Sequence, residues 1–400
     1  MPQSYAISAL WDQDFDENKL ESWAEELRKQ LIDETVSLGF IFLTPPFFEH
    51  ANKVMEIIRV HAHVPLLMGC SSHGIIINGE EIEQRGGMAL SLFNLPGADL
   101  RAFALNANQV NNLEEDDSLL KLTRSNENEN NGWLLFADPF HLRSDKWLDA
   151  WNSAFAPKPI VGGLASGNPD EHRTFLYLDG TVFDEGVVAL SVGGDVALKS
   201  IISQGCTPIG ETWTITQAED NIIHKIGNRP AFDLLVDTLN DLPEEIKARA
   251  NRNLFTGLVI DEYREDFGRG DFLIRNLIGG DPKLGSIAIG AYPRVGQTIQ
   301  FQLRDAQAAS EDMDEMLLSA KNKLADTMIY GACLCSCSGR GEGLFGQPNH
   351  DAGLVQKHLG PLALSGFFCN GEIGPVGDNS YLHAYTASLA LFVKNDFGTA

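Results

Sequence analysis

Pro65-Leu-Leu-Met-Gly-Cys-Ser-Ser-His-Gly74 is the first of three segments that share one skeleton. In each, a proline and a short apolar run precede a glycine, four residues follow, and a second glycine closes the segment. The other copies are Pro159-Ile-Val-Gly-Gly-Leu-Ala-Ser-Gly167 and Pro361-Leu-Ala-Leu-Ser-Gly-Phe-Phe-Cys-Asn-Gly371. Glycines at both ends of a turn allow the backbone to bend sharply. We therefore expect three strands that end in tight turns, here called elbow one (69–74), elbow two (162–167) and elbow three (366–371).

The sequence around the elbows repeats as well. Pro46 precedes Gly69 by 23 residues, and Pro139 precedes Gly162 by the same 23. Residues 50–60 and 144–155, which lie in these intervals, carry apolar side chains near the helical period of about 3.6. In the third copy, residues 329–337 supply the strand and 349–359 the helix. An apolar, strand-like run follows each elbow, at 89–92, 189–192 and 387–391.

This repeat predicts the fold class. A strand–helix–strand connection implies parallel pairing with a right-handed crossover, and the strands after each elbow add hairpin pairing. We therefore expect an α/β protein of mixed α+β character, with mixed sheets, helices on their outer faces and internal pseudo-repeats.

Two copies fall early in the chain and one falls late, which suggests two domains, 1–230 and 231–400. The junction is expected near two helical stretches, 231–239 and a second that ends near Arg252, and residues 257–303 are rich in predicted strands. Residues 106–131 are rich in Asn, Asp and Glu and predict an exposed insertion.

Composition excludes several classes of partner. Fifty-five acidic and 30 basic residues give a formal net charge of −25, which repels nucleic acid and anionic lipid surfaces. No basic, apolar leader and no apolar run of about 18 residues occurs, so we expect a cytoplasmic protein without membrane insertion. Six cysteines in 400 residues do not form a disulfide framework.

The richest polar segment is Cys335-Ser-Cys-Ser-Gly-Arg-Gly-Glu-Gly-Leu-Phe-Gly-Gln-Pro-Asn-His-Asp351. It lies between a predicted strand and a predicted helix, where ligands bind in open α/β sheets. Gly341, Gly343 and Gly346 form a GxGxxG, but we expect the helix to begin near Asn349, beyond these glycines, which disfavours a dinucleotide site. The absence of GxxxxGK[ST] excludes a P-loop.

Arg340 is the first candidate ligand-binding residue of this loop. Its guanidinium fork suits a carboxylate and has room between glycines, although an internal salt bridge is the alternative. Asn349 and Asp351 either contact the ligand or cap the following helix.

Asn370 and Glu372 lie just after the neighbouring strand. Glu372 and Arg340 would suit the two ends of a zwitterion, or they would pair with each other. His383 and Tyr385 are expected to alternate on one strand and to share a face, where a buried, hydrogen-bonded histidine is the commoner outcome.

Fewer features of the sequence support a metal site or a catalytic nucleophile. Cys333, Cys335 and Cys337 share a strand face without a second cluster at zinc spacing, and His61 and His63 lie near a helix end. Cys337 is a candidate reactive thiol, for which His350 is the base nearest in sequence.

At these segments the chain resembles the FIST family, sensory domains of prokaryotic signalling proteins. The motifs of the N-terminal half are Val161-Gly-Gly-Leu-Ala-Ser-Gly167, Gly186-Val-Val-Ala-Leu-Ser191 and Ser203-Gln-Gly-Cys-Thr-Pro-Ile-Gly210. Those of the C-terminal half are Gly270-Asp-Phe-Leu-Ile-Arg-Asn-Leu-Ile-Gly279, Phe301-Gln-Leu-Arg-Asp305, Ser338-Gly-Arg-Gly341, Pro348-Asn-His-Asp351 and Gly366-Phe-Phe-Cys-Asn-Gly-Glu-Ile-Gly374. The resemblance covers nearly the whole chain.

The resemblance implies intracellular sensing of a small molecule such as an amino acid, and a FIST N-terminal domain over 1–230 before a FIST C-terminal domain over 231–400. Because no kinase, HAMP or GGDEF-like segment occurs, the output would pass to a separate signalling protein such as a kinase. We expect a binding protein without catalysis or cofactor, whose oligomeric state the sequence does not specify. One alternative is a haem-binding nitric oxide sensor that uses His383, His350 or another histidine. The other is an enzyme that uses Cys337.

Overall fold

The structure is a computed structural model that describes residues 4–113, 119, 130–142, 146–168, 170–250, 253–264, 266–268 and 270–395. The strands are β1 Ala6–Trp11, β2 Leu38–Leu43, β3 Leu67–Ser71, β4 Ile75–Ile77, β5 Glu80–Ile82, β6 Met88–Phe93, β7 Ala98–Leu105, β8 Asn130–Ala137, β9 Ile160–Leu164, β10 Leu176–Leu178, β11 Thr181–Phe183, β12 Val187–Gly194, β13 Val196–Ser203, β14 Cys206–Glu219, β15 Ile222–Ile226, β16 Arg229–Pro230, β17 Leu254–Val259, β18 Phe272–Asp281, β19 Ser286–Ile289, β20 Thr298–Arg304, β21 Ile329–Cys337, β22 Leu364–Cys369, β23 Glu372–Val376, β24 Asn379–His383 and β25 Ala387–Lys394. The α-helices are α1 Glu17–Arg28, α2 Ala51–His61, α3 Ala107–Asn111, α4 Trp147–Phe155, α5 Ala231–Asn240, α6 Glu244–Ala250, α7 Ala306–Lys323, α8 Gly341–Phe345 and α9 His350–Leu359.

The chain forms two compact units. The first comprises Met1–Ile202, Met316–Leu382 and Thr386–Ala400, and the second comprises Ser203–Glu315 and His383–Tyr385. All three elbows lie in the first unit. The boundary predicted at residue 230 divides two sequence domains and not these two compact units, and it stays a prediction.

Three sheets of the first unit follow one plan. Their strand orders are β1-β6-β2-β3-β10-β11, β7-β12-β8-β9-β23-β24 and β13-β25-β21-β22-β4-β5. In each sheet the strand before the helix and the strand that enters the elbow are parallel neighbours: β2 with β3, β8 with β9, and β21 with β22. The expected mixed α/β class and its parallel strand–helix–strand units are therefore confirmed.

The hairpin that follows each elbow belongs to the sheet of another repeat. The hairpin β4–β5 after elbow one pairs with β22, and the hairpin β10–β11 after elbow two pairs with β3. The hairpin β23–β24 after elbow three joins β9. Each repeat thus completes the sheet of another repeat in a closed cycle, and residues of elbow one and its hairpin come to lie beside the third repeat.

The first glycine of each elbow is required by a close backbone contact. It lies opposite a residue of the parallel strand, and a Cβ atom in its place would overlap the carbonyl oxygen of that residue. The separations would be 1.7 Å from Gly69 to Ile41 O, 1.9 Å from Gly162 to Leu135 O and 1.9 Å from Gly366 to Leu334 O. Because no side chain fits there, the recurring glycine follows from strand spacing.

Each repeat contributes one ring to an aromatic triad in the shared core of these three sheets, which also contains Phe40, Phe93 and Phe392. Phe42, Phe136 and Phe367 are mutually in contact, with ring centroids 5.0 to 5.5 Å apart. The residue opposite each ring on the parallel strand is small: Cys70 opposite Phe42, Gly163 opposite Phe136 and Cys335 opposite Phe367. In the third repeat the large and small residues have exchanged strands, and the triad still has one ring from each repeat.

Helices cover the other face of these sheets. Helix α2 buries Val54, Met55 and Ile58 in one apolar cluster with the first sheet, and α4 buries Trp151 and Phe155 in another with the second. None of the helices described combines the length and the apolarity that a bilayer crossing needs.

The second unit is a single sheet with its own core. Its order is β14-β20-β17-β18-β19-β15-β16, and an additional pairing between β14 and β15 closes six of these strands into a ring. Helix α5 contributes Ala231, Leu234 and Leu235 to the same apolar cluster as Ile215 and Ile223 of the sheet.

Several local expectations differ from the structure. A short helix, α8, forms inside the glycine-rich loop, which the sequence does not predict, whereas the expected helix near Asn349 is confirmed by α9, which begins at His350. Strand β24 ends at His383, and Tyr385 has a positive φ of 63°, so the two side chains do not alternate on one strand. Helix α6 ends at Ala250, and Arg252 lies outside the described residues, as do 114–118 and 120–129 of the predicted insertion.

Candidate functional site

Arg340 and Asp351 form a buried ion pair between the loop after β21 and the first turn of α9. Arg340 Nε lies 2.6 Å from Asp351 Oδ2, and Nη2 lies 2.9 Å from Oδ1. Each residue is only 1% exposed. The guanidinium lies 5.4 Å from the ring of Phe345, on which His350 stacks with ring centroids 3.4 Å apart. This pair fixes the geometry of the glycine-rich loop.

The charge of Asp351 is stabilised by its partners. Burial opposes its ionisation, but the charge of Arg340 and hydrogen bonds from His350 and Arg340 outweigh burial and hold the pKa of Asp351 well below its usual value. Ser336 also donates to Oδ2, over 3.1 Å. Asp351 is therefore ionised throughout the physiological range, in the first turn of α9, with its oxygens bonded to Arg340, His350 and Ser336.

Asn349 connects this loop to the hairpin after elbow one. It adopts a left-handed conformation with φ of 65°, and its Oδ1 accepts a hydrogen bond from the backbone N–H of Glu81 over 2.7 Å. Its side chain makes no capping bond to α9. The alternative role as a cap is therefore absent from the structure, and Asn349 holds β5 against the third repeat.

Glu81 brings a second buried carboxylate beside the ion pair. It is 7% exposed, and its Oε1 accepts a hydrogen bond from the backbone N–H of Ala352 over 2.9 Å. Oε2 is buried without a hydrogen-bond partner in the described structure. Burial, and then the charge of Asp351, raise the pKa of Glu81 to about 7, although hydrogen bonds from the backbone N–H groups of Ala352 and Asp351 act in the opposite direction. Glu81 therefore changes its charge near neutral pH.

A cavity of about 320 Å³ opens beside Glu81 and Asn349, and we call it the Glu81 cavity. Several lining residues are held in place: Glu83 Oε1 accepts from the N–H of Glu342 over 2.8 Å, and Gln84 donates to the Glu342 carboxylate over 3.1 Å. The cavity is lined by Glu80, Glu81, Ile82, Glu83, Gln84, Arg85, Glu342, Pro348 and Asn349. It joins the exchanged hairpin to the glycine-rich loop, two segments far apart in sequence.

Glu372 is fully buried, lies close enough to Arg340 to feel its charge, and is not among the residues that line this cavity. Its Oε2 accepts from the N–H of Thr386 over 2.9 Å, and Cys369 Sγ lies 3.2 Å from its Oε1. Cys337 also hydrogen-bonds to it. Burial raises the pKa of Glu372 to about 7, although these hydrogen bonds and the charge of Arg340 act in the opposite direction.

The remaining predicted site residues lie elsewhere. Asn370 links elbow three to elbow two, since its Nδ2 donates to Ala165 O over 3.0 Å. His383 belongs to the second unit, is 2% exposed and lies 3.5 Å from Gln204 Nε2 through its Nδ1. The structure thus brings Arg340, Asp351 and Asn349 together and sets Glu372 and Cys337 near Arg340, whereas the side chain of Asn370 bonds to elbow two and that of His383 lies beside Gln204 within the second unit.

The histidines suggested as haem ligands are covered by protein. His383 is almost fully buried, and His350 is stacked on Phe345 and bonded to Asp351 through Nδ1 over 3.0 Å. An axial ligand needs a ring nitrogen that faces the iron, and both rings are already packed. These residues do not fit haem, and we derive no step through it. In the described part of the chain no cluster of three or more His, Cys, Asp and Glu residues suits a metal ion.

The structure contains a polar cluster where the three elbows meet, which the sequence does not predict. Ser166 Oγ lies 3.1 Å from Ser72 Oγ and 3.0 Å from His73 Nδ1, and Ser72 donates to Phe368 O over 2.9 Å. Burial lowers the pKa of His73, which favours a neutral ring. The repeat aligns these turns but does not show that they touch, so the sequence offers no signal for the contact.

The chain matches two family models and is similar to known proteins over most of its length. The model of the FIST N domain matches residues 37–229, and that of the FIST C domain matches residues 231–375. An uncharacterized protein of Mycobacterium tuberculosis H37Rv is 33% identical over 370 residues, which are 92% of this chain and 94% of that protein. An uncharacterized protein of Mycobacterium bovis is 33% identical over 372 residues, which are 93% of this chain and 94% of that protein.

Two further similarities are more limited. An F-box/LRR-repeat protein of Arabidopsis thaliana is 30% identical over 105 residues, 26% of this chain and 20% of that protein. A solved cyanuric acid hydrolase aligns with 97% of this chain and 100% of its own, at 8% identity and a TM-score of 0.30, which is too low to carry an argument. The two family models together span most of the sequence. The chain therefore belongs to the FIST family, with a FIST N domain followed by a FIST C domain.

Proposed function

We propose that this chain is a cytoplasmic sensory protein that binds an amino acid or a similar small zwitterion in the Glu81 cavity, without catalysis. One observation carries the proposal: Glu81, which lines a cavity of about 320 Å³, has a buried carboxylate oxygen with no hydrogen-bond partner in the described structure. Buried polar groups are normally satisfied, and an exception that lines a cavity favours a ligand. Membership of a family of signalling sensor domains is consistent with this role.

In this proposal Arg340 supports the site and does not clamp the ligand itself. Its two hydrogen bonds to Asp351 occupy the fork that would otherwise receive a ligand carboxylate. The ion pair holds α9 and the glycine-rich loop, and Asn349 of this loop lines the cavity. A ligand would link this loop to the exchanged hairpin, and a separate signalling protein such as a kinase would detect the change.

The direct test is calorimetry of the full chain against the twenty amino acids. A Gln84→Trp substitution should fill the cavity from an exposed position and abolish binding. Gln307→Trp is a matched control, because both glutamines are exposed and donate to a glutamate side chain, Gln84 to Glu342 and Gln307 to Glu311. Absence of heat with every amino acid, or equal binding by both variants, would contradict the proposal.

A further inference from the structure

We propose that the Glu81 cavity recognises an organic ammonium ion, which donates to the buried Oε2 of Glu81. This inference rests on the proposed function and specifies its ligand chemistry: basic amino acids and diamines are favoured over neutral and acidic compounds. The two sources of the ammonium group, amino acid and diamine, are separated by the experiment below.

The first argument is the state of the Glu81 carboxylate. Ala352 N–H holds Oε1 at 2.9 Å, and Asn349 holds the Glu81 backbone at 2.7 Å, so the side chain has a fixed direction. The remaining oxygen is buried and has no partner in the described structure. A buried acceptor fixed in this way is suited to a donor that arrives with the ligand, and a charged donor forms the strongest such hydrogen bond.

The second argument is the charge of the cavity lining. Four carboxylates line it, those of Glu80, Glu81, Glu83 and Glu342, against the single guanidinium of Arg85. Arg85 is itself paired with Asp12 at 3.0 Å and lies 3.9 Å from Glu80. The negative field of such a lining raises the local concentration of cations and opposes anions. A ligand with two ammonium groups therefore fits the lining better than one with a single charge.

The third argument is the titration of Glu81. The carboxylates around it are Asp351 of α9, Glu83 beyond its own strand and Glu342 of α8, with Arg340 bonded to Asp351. Burial and the charge of Asp351 raise the pKa of Glu81 to about 7, and the charge of Glu83 acts in the same direction. An ammonium ion favours the ionised carboxylate, so affinity should increase by roughly tenfold between pH 6 and pH 8.

The experiment is calorimetry of the full chain at pH 6 and pH 8 with L-lysine, 1,5-diaminopentane and hexanoate. Glu81→Gln keeps the acceptor for Ala352 and removes the charge, and should weaken amine binding by about ten- to a hundredfold. Glu372→Gln is the matched control, because Glu372 is also a buried carboxyl with its pKa raised to about 7 but does not line the cavity. This control should bind the amines like the wild type.

The outcomes separate this inference from the proposed function. Binding of either amine with loss in Glu81→Gln supports the inference, and the tighter of the two identifies the source of the ammonium group. Binding of hexanoate but of neither amine would overturn it. The inference would also be overturned if the protein bound a neutral amino acid with the same affinity in the wild type and in Glu81→Gln. The proposed function would remain supported by that result. If Glu81→Gln does not fold, the wild-type pH dependence decides, and equal amine affinity at pH 6 and pH 8 would overturn the inference.

Discussion

Arg340 donates two hydrogen bonds to Asp351, and the two residues are each 1% exposed. The pair connects the glycine-rich loop after β21 to the start of α9. Breaking a buried pair from one side leaves an uncompensated charge, which costs more than an exposed pair contributes.

We expect Arg340→Met to lower the free energy of unfolding by about 3–5 kcal/mol. The matched control is Lys53→Met, which breaks an exposed pair with Glu56 at 3.2 Å and should cost less than about 1 kcal/mol. Urea denaturation followed by tryptophan fluorescence measures both, since five of the six tryptophans lie in the first unit. Equal losses in the two variants would contradict a supporting role for Arg340.

The elbow glycines predict a contrast between two alanine substitutions. Gly366→Ala places a Cβ 1.9 Å from Leu334 O, a backbone atom that cannot move away without separating the strands, so we expect loss of the folded protein. Gly353→Ala lies within α9 with no atom within 4 Å of the new Cβ, and should stabilise by up to about 1 kcal/mol. Soluble yield and thermal unfolding measure the difference, and a folded Gly366→Ala protein would refute the argument.

Cys335 and Phe367 lie opposite each other on parallel strands. We therefore expect a substitution at one of them to offset part of the stability lost by a substitution at the other. Phe367→Cys removes a core ring and should cost about 3 kcal/mol, and Cys335→Phe alone overpacks the core by about 1–3 kcal/mol. Together they restore the arrangement of the first two repeats, with the ring on the first strand. We expect the double variant to lose less than the two single losses combined, which a double-mutant cycle measures. Additive losses would contradict this equivalence.

The buried carboxyl group of Glu372 should make the stability of the protein depend on pH. Burial raises its pKa to about 7 in the folded protein, whereas an unfolded glutamate titrates near about 4.3. The folded state therefore binds more protons between these values, and the stability contributed by Glu372 falls as pH rises through this window. Glu372→Gln should gain on the order of 2 kcal/mol relative to wild type between pH 5 and pH 8. Urea denaturation of the wild type and of Glu372→Gln at pH 5 and pH 8 measures this gain, and no relative gain in Glu372→Gln would refute the prediction.

The sequence predicts the parts of the fold that depend on local pattern. The elbow glycines, the strands that enter them and the helices near α2, α4 and α9 all follow from spacing and periodicity. The exchange of hairpins does not, because the pairing of β4 with β22 joins residues almost 300 positions apart and leaves no local signal. Glu81 was therefore missed. Arg340, Asp351 and Asn349 were identified by residue type, but only the structure shows that the ion pair is internal and that the Asn349 side chain bonds to Glu81 rather than capping α9.

The cyclic exchange of hairpins has a consequence for any attempt to divide the protein. A fragment that stops near residue 230 would contain β4–β5 without β22, β9 without β23–β24 and β13 without β25, so a sheet edge would be left open at each of these places. Unpaired edges promote association between chains. During synthesis these edges stay unpaired until the ribosome has translated residues beyond 370. In this interval the nascent chain most needs protection by chaperones.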